Sequence, residues 1–316
     1  MTTTTEPVGV LVRRWRERRR RSQLDVSLAA ELSTRHLSCI ETGRANPSRD
    51  MIRRLCDELD VPLRERNAFY LAAGFAPVHP ERAFADLGAA RAAVEAVLTG
   101  HEPNPALAVN VRWELLAANR AMGVFLGDVG GESSQQPFNV LKATLHPDGL
   151  AGRIRNLAQW RAHVLRRVRR QLDRTSASGL AELLAELESY PVPDKDAEES
   201  RKPGGGDTRT CTETGVVPDD LVAPLRLSTE HGELALLYTT TVFGSPRDVT
   251  LDEIAIETFF PADAPTAALL RGAVVGDSFG TPTTAGGRRG PRDGGIAERQ
   301  GSAEGPNHHH SFGNAF

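Results

Sequence analysis

Between residues 8 and 76 the apolar positions recur at helical spacing in five short runs, each bracketed by capping or breaking residues. Leu11, Val12 and Trp15 form the apolar stripe of a first helix, surrounded by arginines. Ser22 is a suitable N-cap, and Asp25 three residues on completes a capping box, so a second helix runs to about Ala30. Glu31-Leu32 is a turn. Ser33 caps a third helix from Thr34 to about Glu41, whose Leu37 and Ile40 face a core shared with Val26 and Leu32; Thr42-Gly43 ends it. Ser48 caps a fourth helix with Met51, Ile52, Leu55 and Leu59 on one face. Pro62 suits the first turn of a fifth, which ends at Gly74.

Residues 77–85, with Pro77 and Pro80, read as a linker. From 86 to 270 the periods mix. Asp86 to Leu98 is an amphipathic helix with Leu87, Ala90, Val94 and Val97 on one side, ended by Pro103-Asn104-Pro105. Ala106–Asn110 and Trp113–Ala117 read as neighbouring strands, and Asn119-Arg120-Ala121-Met122 opens a helix ending near Gly127. Two long helices follow, Asn156 to about Arg174 and Gly179 to about Tyr190. Leu221–Ser228 and Glu233–Phe243 are strands about a turn at Glu230-His231-Gly232. The alternation of Ile254, Ile256, Thr258 and Phe260 predicts a last strand, although Leu251–Phe260 can begin as helix. The expected architecture is an all-α five-helix domain followed by an α+β domain, an antiparallel sheet of about five strands with helices on one side. Asp194–Gly215 reads as a flexible insertion. Residues 271–316 hold 11 of the 29 glycines and read as a disordered tail, too poor in apolar surface to offset chain entropy.

The length of 316 residues fits about two domains. The net charge of −3 looks unremarkable until it is divided. Residues 1–80 carry fourteen Arg, no Lys and ten acidic residues, a surplus of four positive charges; the remainder is net −7. A basic head before an acidic body points to a nucleic-acid partner. Arg13 to Arg21 alone, with seven Arg and one Glu, is most often a solvated helix face. No run of 18 apolar residues exists, and the polar start Met1–Glu6 lacks a secretory h-region, so no membrane contact and a cytoplasmic location are expected. Cys39, Cys56 and Cys211 form no CxxC pair, which argues against a disulfide framework or a zinc ribbon. The His308-His309-His310 run lies on the tail and forms no preorganised metal site. HExxH and P-loop patterns are absent, and no enzymatic role or cofactor is expected.

Two short helices joined by a tight turn in a basic unit match a helix-turn-helix. The stretch from Ser22-Gln23 through the capped Ser33-Thr34-Arg35-His36 helix to Ile40-Glu41-Thr42-Gly43-Arg44 and Pro47 resembles the repressor-type (XRE, lambda-repressor-like) DNA-binding domain. In that motif the second helix enters the major groove with its N-terminal residues at base edges. Those residues are Thr34, Arg35 and His36, with Ser38 one turn on; Arg35 can donate twice to guanine. The resemblance puts Gln23 at a phosphate or outer base, and Arg44 and Asn46 at the backbone; Ser33 joins the DNA-facing set as the cap. Glu41 reads as structural, accepting backbone or Arg bonds. The family has Gly where Glu31 stands, and a left-handed Glu there costs about 1 kcal/mol or more.

Asn110 to Ala121, Leu145-His146-Pro147-Asp148-Gly149-Leu150, Thr239 to Gly244 and Phe259-Phe260-Pro261-Ala262-Asp263, after such a head, are similar to the MmyB-like transcription regulators. The strand, strand, Asn-x-Ala helix order resembles the opening of a PAS domain. The resemblance implies a repressor-type helix-turn-helix at 8–76 and a PAS-like ligand-binding domain at 86–270. It further implies a regulator of transcription that binds double-stranded DNA, at paired half-sites read by a homodimer, and that holds a lipophilic small molecule such as a fatty acid. Candidate pocket residues are Trp113, Leu115, Phe125, Trp160 and Phe243, with Asn119, His146 and Arg153 as polar groups; plain core packing is the commoner reading for each aromatic. The competing readings are a protein-interaction module, for example an antitoxin-like adaptor, and a lipid-binding module without operator readout.

Overall fold

A computed structural model describes residues 6–126, 137–191, 224–230 and 232–276. Five helices come first: α1 (Val8–Arg18), α2 (Gln23–Ala29), α3 (Thr34–Glu41), α4 (Arg49–Glu58) and α5 (Leu63–Ala72). The caps read from the sequence are in place. Ser22 and Asp25 form a reciprocal capping box, and Ser33 and Ser48 accept from the backbone N–H groups of His36 and Met51. All five helices end the same way. A left-handed residue follows each one, at Arg20, Glu31, Gly43, Asp60 and Gly74. The next N–H then reaches back five residues, as in Leu32 N to Ser27 O at 2.8 Å and Arg44 N to Cys39 O at 2.8 Å. These closures satisfy carbonyls that the helix ends leave open, and they turn the chain sharply enough for the helices to share one core. Trp15, Val26, Leu37, Ile40, Ile52, Leu55 and Phe69 form it. Cys56 belongs to it as well, and burial pushes its thiol up to about 12, so it stays a neutral core group.

Residues 77–85 are tied down on both sides. Asn67 bonds the backbone of Val78 and His79, Pro80 O accepts from Val249 N at 2.9 Å, and Arg82 pairs with Asp248 at 2.9 Å. A 3-10 turn, Phe84–Asp86, precedes α6 (Ala89–Gly100), so the expected helix starts three residues later. Val94 and Leu98 are its buried positions; Val97, expected on that face, is 47% exposed because it lies a quarter-turn away from them.

The second domain continues with β1 (Ala106–Val109), β2 (Leu115–Ala118), α7 (Arg120–Leu126), α8 (Val140–Leu145), α9 (Leu157–Thr175) and α10 (Leu180–Ser189). It closes with β3 (Leu225–Thr229), β4 (Gly232–Val242), the single-turn helix α11 (Val249–Asp252), β5 (Ala255–Pro261) and α12 (Ala264–Gly276). The five strands form one antiparallel sheet in the order β2-β1-β5-β4-β3. Strand alternation sends Leu107 and Val109 to one face and Ala106 and Ala108 to the other. The first face packs on α8, α9 and α10 through Trp160, Val164, Val168 and Leu183. The second packs on α6 through Val94 and Leu98, with Ile254 and Ile256. Helices therefore cover both faces, which corrects the one-sided expectation: the amphipathic α6 needs an apolar partner, and the β1–β5 centre provides one. α12 runs to Gly276, so the first six residues of the expected tail are helical. The 194–215 insertion with Cys211, and the tail from 277 with its His run, lie outside the described residues. No described helix is long and apolar enough to cross a membrane.

The left-handed Glu31 (φ 55°) yields a direct test. Its carboxylate is 83% exposed and meets Arg54 only at 3.5 Å, a surface pair worth little. Glu31→Gly should raise the stability of the five-helix unit by about 1 kcal/mol, read as a higher urea midpoint. An unchanged midpoint would show that the turn carries no strain.

Candidate functional site

The two candidate surfaces are the exposed stripe of α3 and the hollow under the sheet. On α3, Leu37, Ile40 and Glu41 are buried, while Thr34, Arg35 and Thr42 are exposed and Ser38 is half-exposed. Positions 34, 38 and 42, with 35 beside them, form one stripe at helical spacing. Arg35 makes no hydrogen bond or ion pair among the described residues. Thr34 Oγ1 meets Ser27 Oγ at 3.0 Å, and Arg44 Nε donates to Thr42 Oγ1 at 3.0 Å. The Ser33 hydroxyl accepts from His36 N at 3.1 Å and keeps its own proton for another partner.

Three members of the expected DNA-facing set are placed differently. His36 is half-buried, and its Nε2 is sealed from solvent without a partner, because position 36 sits one turn before buried Ile40. Gln23 is held by Glu41, its Nε2 donating to Oε2 at 2.9 Å. Asn46 donates to Ala73 O at 3.1 Å, tying the loop after α3 to the end of α5.

Glu41 is the hub behind this stripe. Its side chain is 0% exposed, and it accepts from Arg16 Nε at 2.7 Å and Nη2 at 3.0 Å, with Arg13 3.5 Å away. Burial pushes its carboxyl up, but hydrogen bonds from Arg16 and Gln23 and the charges of Arg16 and Arg13 outweigh this and hold it below the ordinary carboxylate range. That contribution to stability is full above the ordinary carboxylate pKa and is lost only as pH falls through the lowered value.

In the second domain the space is divided in two. A pocket of about 60 Å³ lies between α8, α9 and the sheet, walled by Leu107, Val140, Leu141, Trp160, Val164, Tyr238 and Phe259. A cleft of about 580 Å³ adjoins it, lined by Asn110, Arg170, Gln171, Arg174, Thr240 and Glu253. Trp113 and Arg167 border both. Trp113 sits at φ 66°, an outlier for a bulky residue, in a tight turn held by Asn110 Oδ1 accepting from Arg112 N and Glu114 N. The turn drives the indole inward, where Nε1 donates to Gln171 Oε1 at 2.8 Å. Arg167 lies 4.5 Å over its ring and pairs with buried Glu257 at 2.6 Å. Trp160 stacks on His163 at 5.6 Å, and its own Nε1 is buried with no partner among the described residues. His163 meets the Tyr238 hydroxyl; burial first, then Arg167, Arg166 and Arg170, push its pKa down, so the ring is neutral at neutral pH. Burial raises the Tyr238 phenol against the opposing pull of Arg167.

Trp113 and Trp160 thus stand at the cavity walls, as the sequence suggested. Four other expected residues do not line either cavity. Asn119 is consumed by the fold: Oδ1 accepts from Ala106 N and Met122 N at 3.0 Å, and Nδ2 donates to Leu98 O and Asn104 O. His146 accepts from Asp148 N and meets the Tyr190 ring edge-on. Arg153 donates to Ser228 O, binding the chain before α9 to β3. Phe243 packs on the opposite face of the sheet, with α6. Leu115 packs at the margin of the first-face core, and the Phe125 side chain lies outside the described residues. The sequence reading missed His163, Arg167, Tyr238 and Glu257. The signals were present: His163 and Arg167 are four apart on one helix, and Glu257 is the one acid in the Ala255–Pro261 strand.

Asn119→Ala should destabilise the domain by about 2 kcal/mol, since it strands buried backbone groups. Thermal denaturation reads this out. A variant of unchanged stability would return Asn119 to the list of groups free to meet a ligand.

A family model described as the MmyB-like transcription regulator ligand binding domain matches residues 90–272, and one described as a helix-turn-helix domain matches residues 7–69. No curated protein matches the chain. With a five-helix head whose third helix presents a free polar stripe, and an antiparallel sheet domain built around an internal cavity, the chain belongs to the MmyB-like transcription regulators, DNA-binding proteins with a ligand-binding domain.

Proposed function

We propose that this regulator reads an operator through Thr34, Arg35 and Ser38, and that a lipophilic small molecule in the sheet domain tunes its affinity for DNA. The observation carrying the readout is the exposure of Arg35 on a rigid, doubly capped helix, without a hydrogen-bond or ion-pair partner among the described residues. Its planar guanidinium can meet guanine O6 and N7 together. In this reading Ser33 and Arg44, at the two ends of α3, contact phosphate, and Gln23 and Asn46 brace α3 and the loop after it through Glu41 and Ala73 O. His36 acts through packing. A second copy on an adjacent half-site, making a homodimer, suits the motif.

Arg35→Ala should weaken operator binding by about 1–3 kcal/mol and relax specificity at one base pair. Electrophoretic mobility shifts with the native upstream DNA at fixed salt measure this. Equal losses on operator and random DNA would make Arg35 a phosphate contact instead.

The ligand reading rests on the adjoining pocket and cleft, which share Trp113 and Arg167 as walls. The cleft's 580 Å³ lies within the range of small-molecule sites, while 60 Å³ holds only about two waters. An acyl chain therefore needs the cleft, with its apolar end directed toward Trp160. A fatty-acid-like molecule suits the apolar walls, and no other cofactor is invoked. Native mass spectrometry of the full protein with added fatty acid should show one molecule per chain. An empty protein at every concentration would remove the sensor role and leave a ligand-independent regulator.

A further inference from the structure

The cleft reaches the DNA-binding domain. Along α9, Trp160 and Val164 wall the apolar pocket, Arg167 borders both spaces, and Arg170, Gln171 and Arg174 line the cleft. At the end of α9 the carbonyls of Leu172 and Asp173 accept from Arg18 at 3.0 and 3.1 Å, and that of Arg174 from Arg19 at 3.3 Å. Across the cleft stands Glu253. It gives both oxygens to Arg64 of α5, at 2.6 and 3.0 Å, while neighbouring Asp252 accepts from Leu63 N at 3.1 Å and so caps α5 from the other domain. A smaller space of about 110 Å³ continues from the cleft into this seam, bordered by Arg64, Arg174 and Glu253.

The charges in this cleft are unequal in their commitments. Arg167 is taken by Glu257, and Glu253 by Arg64, which also pairs with Glu81 at 2.7 Å. The guanidinium groups of Arg170 and Arg174 are exposed and make no hydrogen bond or ion pair among the described residues. Two free cations thus face a cleft whose one lining carboxylate is bound to the DNA-binding domain.

We propose that Arg170 and Arg174 hold the anionic head of the ligand, and that filling this site opposes the Glu253–Arg64 clamp. This rests on the reading of the second domain as a ligand sensor. An anion drawn to the two arginines shares a partly desolvated space with Glu253. Like charges there repel more strongly than in bulk water. The cost falls on the arrangement that keeps Glu253 at the cleft wall, which is the clamped one. Linkage makes the effect reciprocal: a broken clamp raises affinity for the anion by the same factor that the anion loosens the clamp.

The test uses the full chain, dodecanoate, and dodecanol as an uncharged control, with affinities from fluorescence titration and DNA binding from mobility shifts. Arg170→Gln with Arg174→Gln should weaken dodecanoate binding about tenfold, the loss expected of a charge-assisted contact, and leave dodecanol unchanged. Arg64→Gln, which breaks the clamp without altering the main cleft wall, should tighten dodecanoate binding. It should also bring DNA affinity to the value of ligand-bound wild type, so that added dodecanoate changes nothing further. Glu253→Gln should do the same from the other side of the pair. Equal loss of dodecanoate and dodecanol binding in the arginine variant, or no loss of either, overturns the anion site while the sensor reading stands. A full dodecanoate effect on DNA affinity in both Arg64→Gln and Glu253→Gln overturns the clamp. Failure of both compounds to bind wild-type protein removes the sensor reading and this proposal together.

Discussion

Glu41 ends the recognition helix with its carboxylate wholly enclosed, and the geometry of the DNA-binding domain depends on it. Arg16 from α1 and Gln23 from α2 both bond it, so one acid fixes the positions of three helices. A buried carboxylate is costly unless paired and hydrogen-bonded, and here both conditions are met. The same junction demands close approach. A Cβ on Gly9 would lie 2.1 Å from Ile40 O, so only glycine lets α1 settle against the end of α3. With that end anchored and Ser33 capping the other, the stripe of Thr34, Arg35 and Ser38 is held rigidly. A rigid donor loses less entropy on meeting DNA.

The ligand-binding domain applies the same logic to another buried pair. Arg167 reaches from α9 to Glu257 on the central strand β5, and its guanidinium also covers the ring of Trp113. That one side chain separates the apolar pocket from the basic cleft. β5 is the connecting element: Glu257 and Phe259 face the cavity, and the helix just before the strand carries Asp252 toward α5. Residues 77–85, a linker by composition, hold the same helix through Pro80 and Arg82. The two domains therefore meet through specific polar contacts. Such contacts can exchange partners at lower cost than a dry apolar seam.

The helices, strands and caps were largely legible in the sequence, because they are set by local period and local chemistry. Ser22 with Asp25, Ser33, Gly43 and the alternation of Ile254 to Phe260 each act within a few residues. The cavity was only half legible. Trp113 and Trp160 stood out as large aromatics, but Asn119, His146, Arg153 and Phe243 were equally plausible on composition. Each turned out to serve the backbone, or the other face of the sheet. Residue type says that a polar group needs a partner, and only the fold says whether a neighbouring carbonyl has already supplied it.

By itself the sequence determined a basic helix-turn-helix followed by a five-stranded α+β domain, since period, capping and charge sign are properties of short segments. The tertiary structure decided which polar groups stayed free. It bound Gln23 to Glu41 and Asn46 to Ala73 O, and it left His36 half-buried and Arg35 without a partner among the described residues. It also set Arg170 and Arg174 opposite Glu253 across more than 70 residues of chain. Pairings of that reach follow from how helix and sheet faces pack together, and no local pattern encodes them.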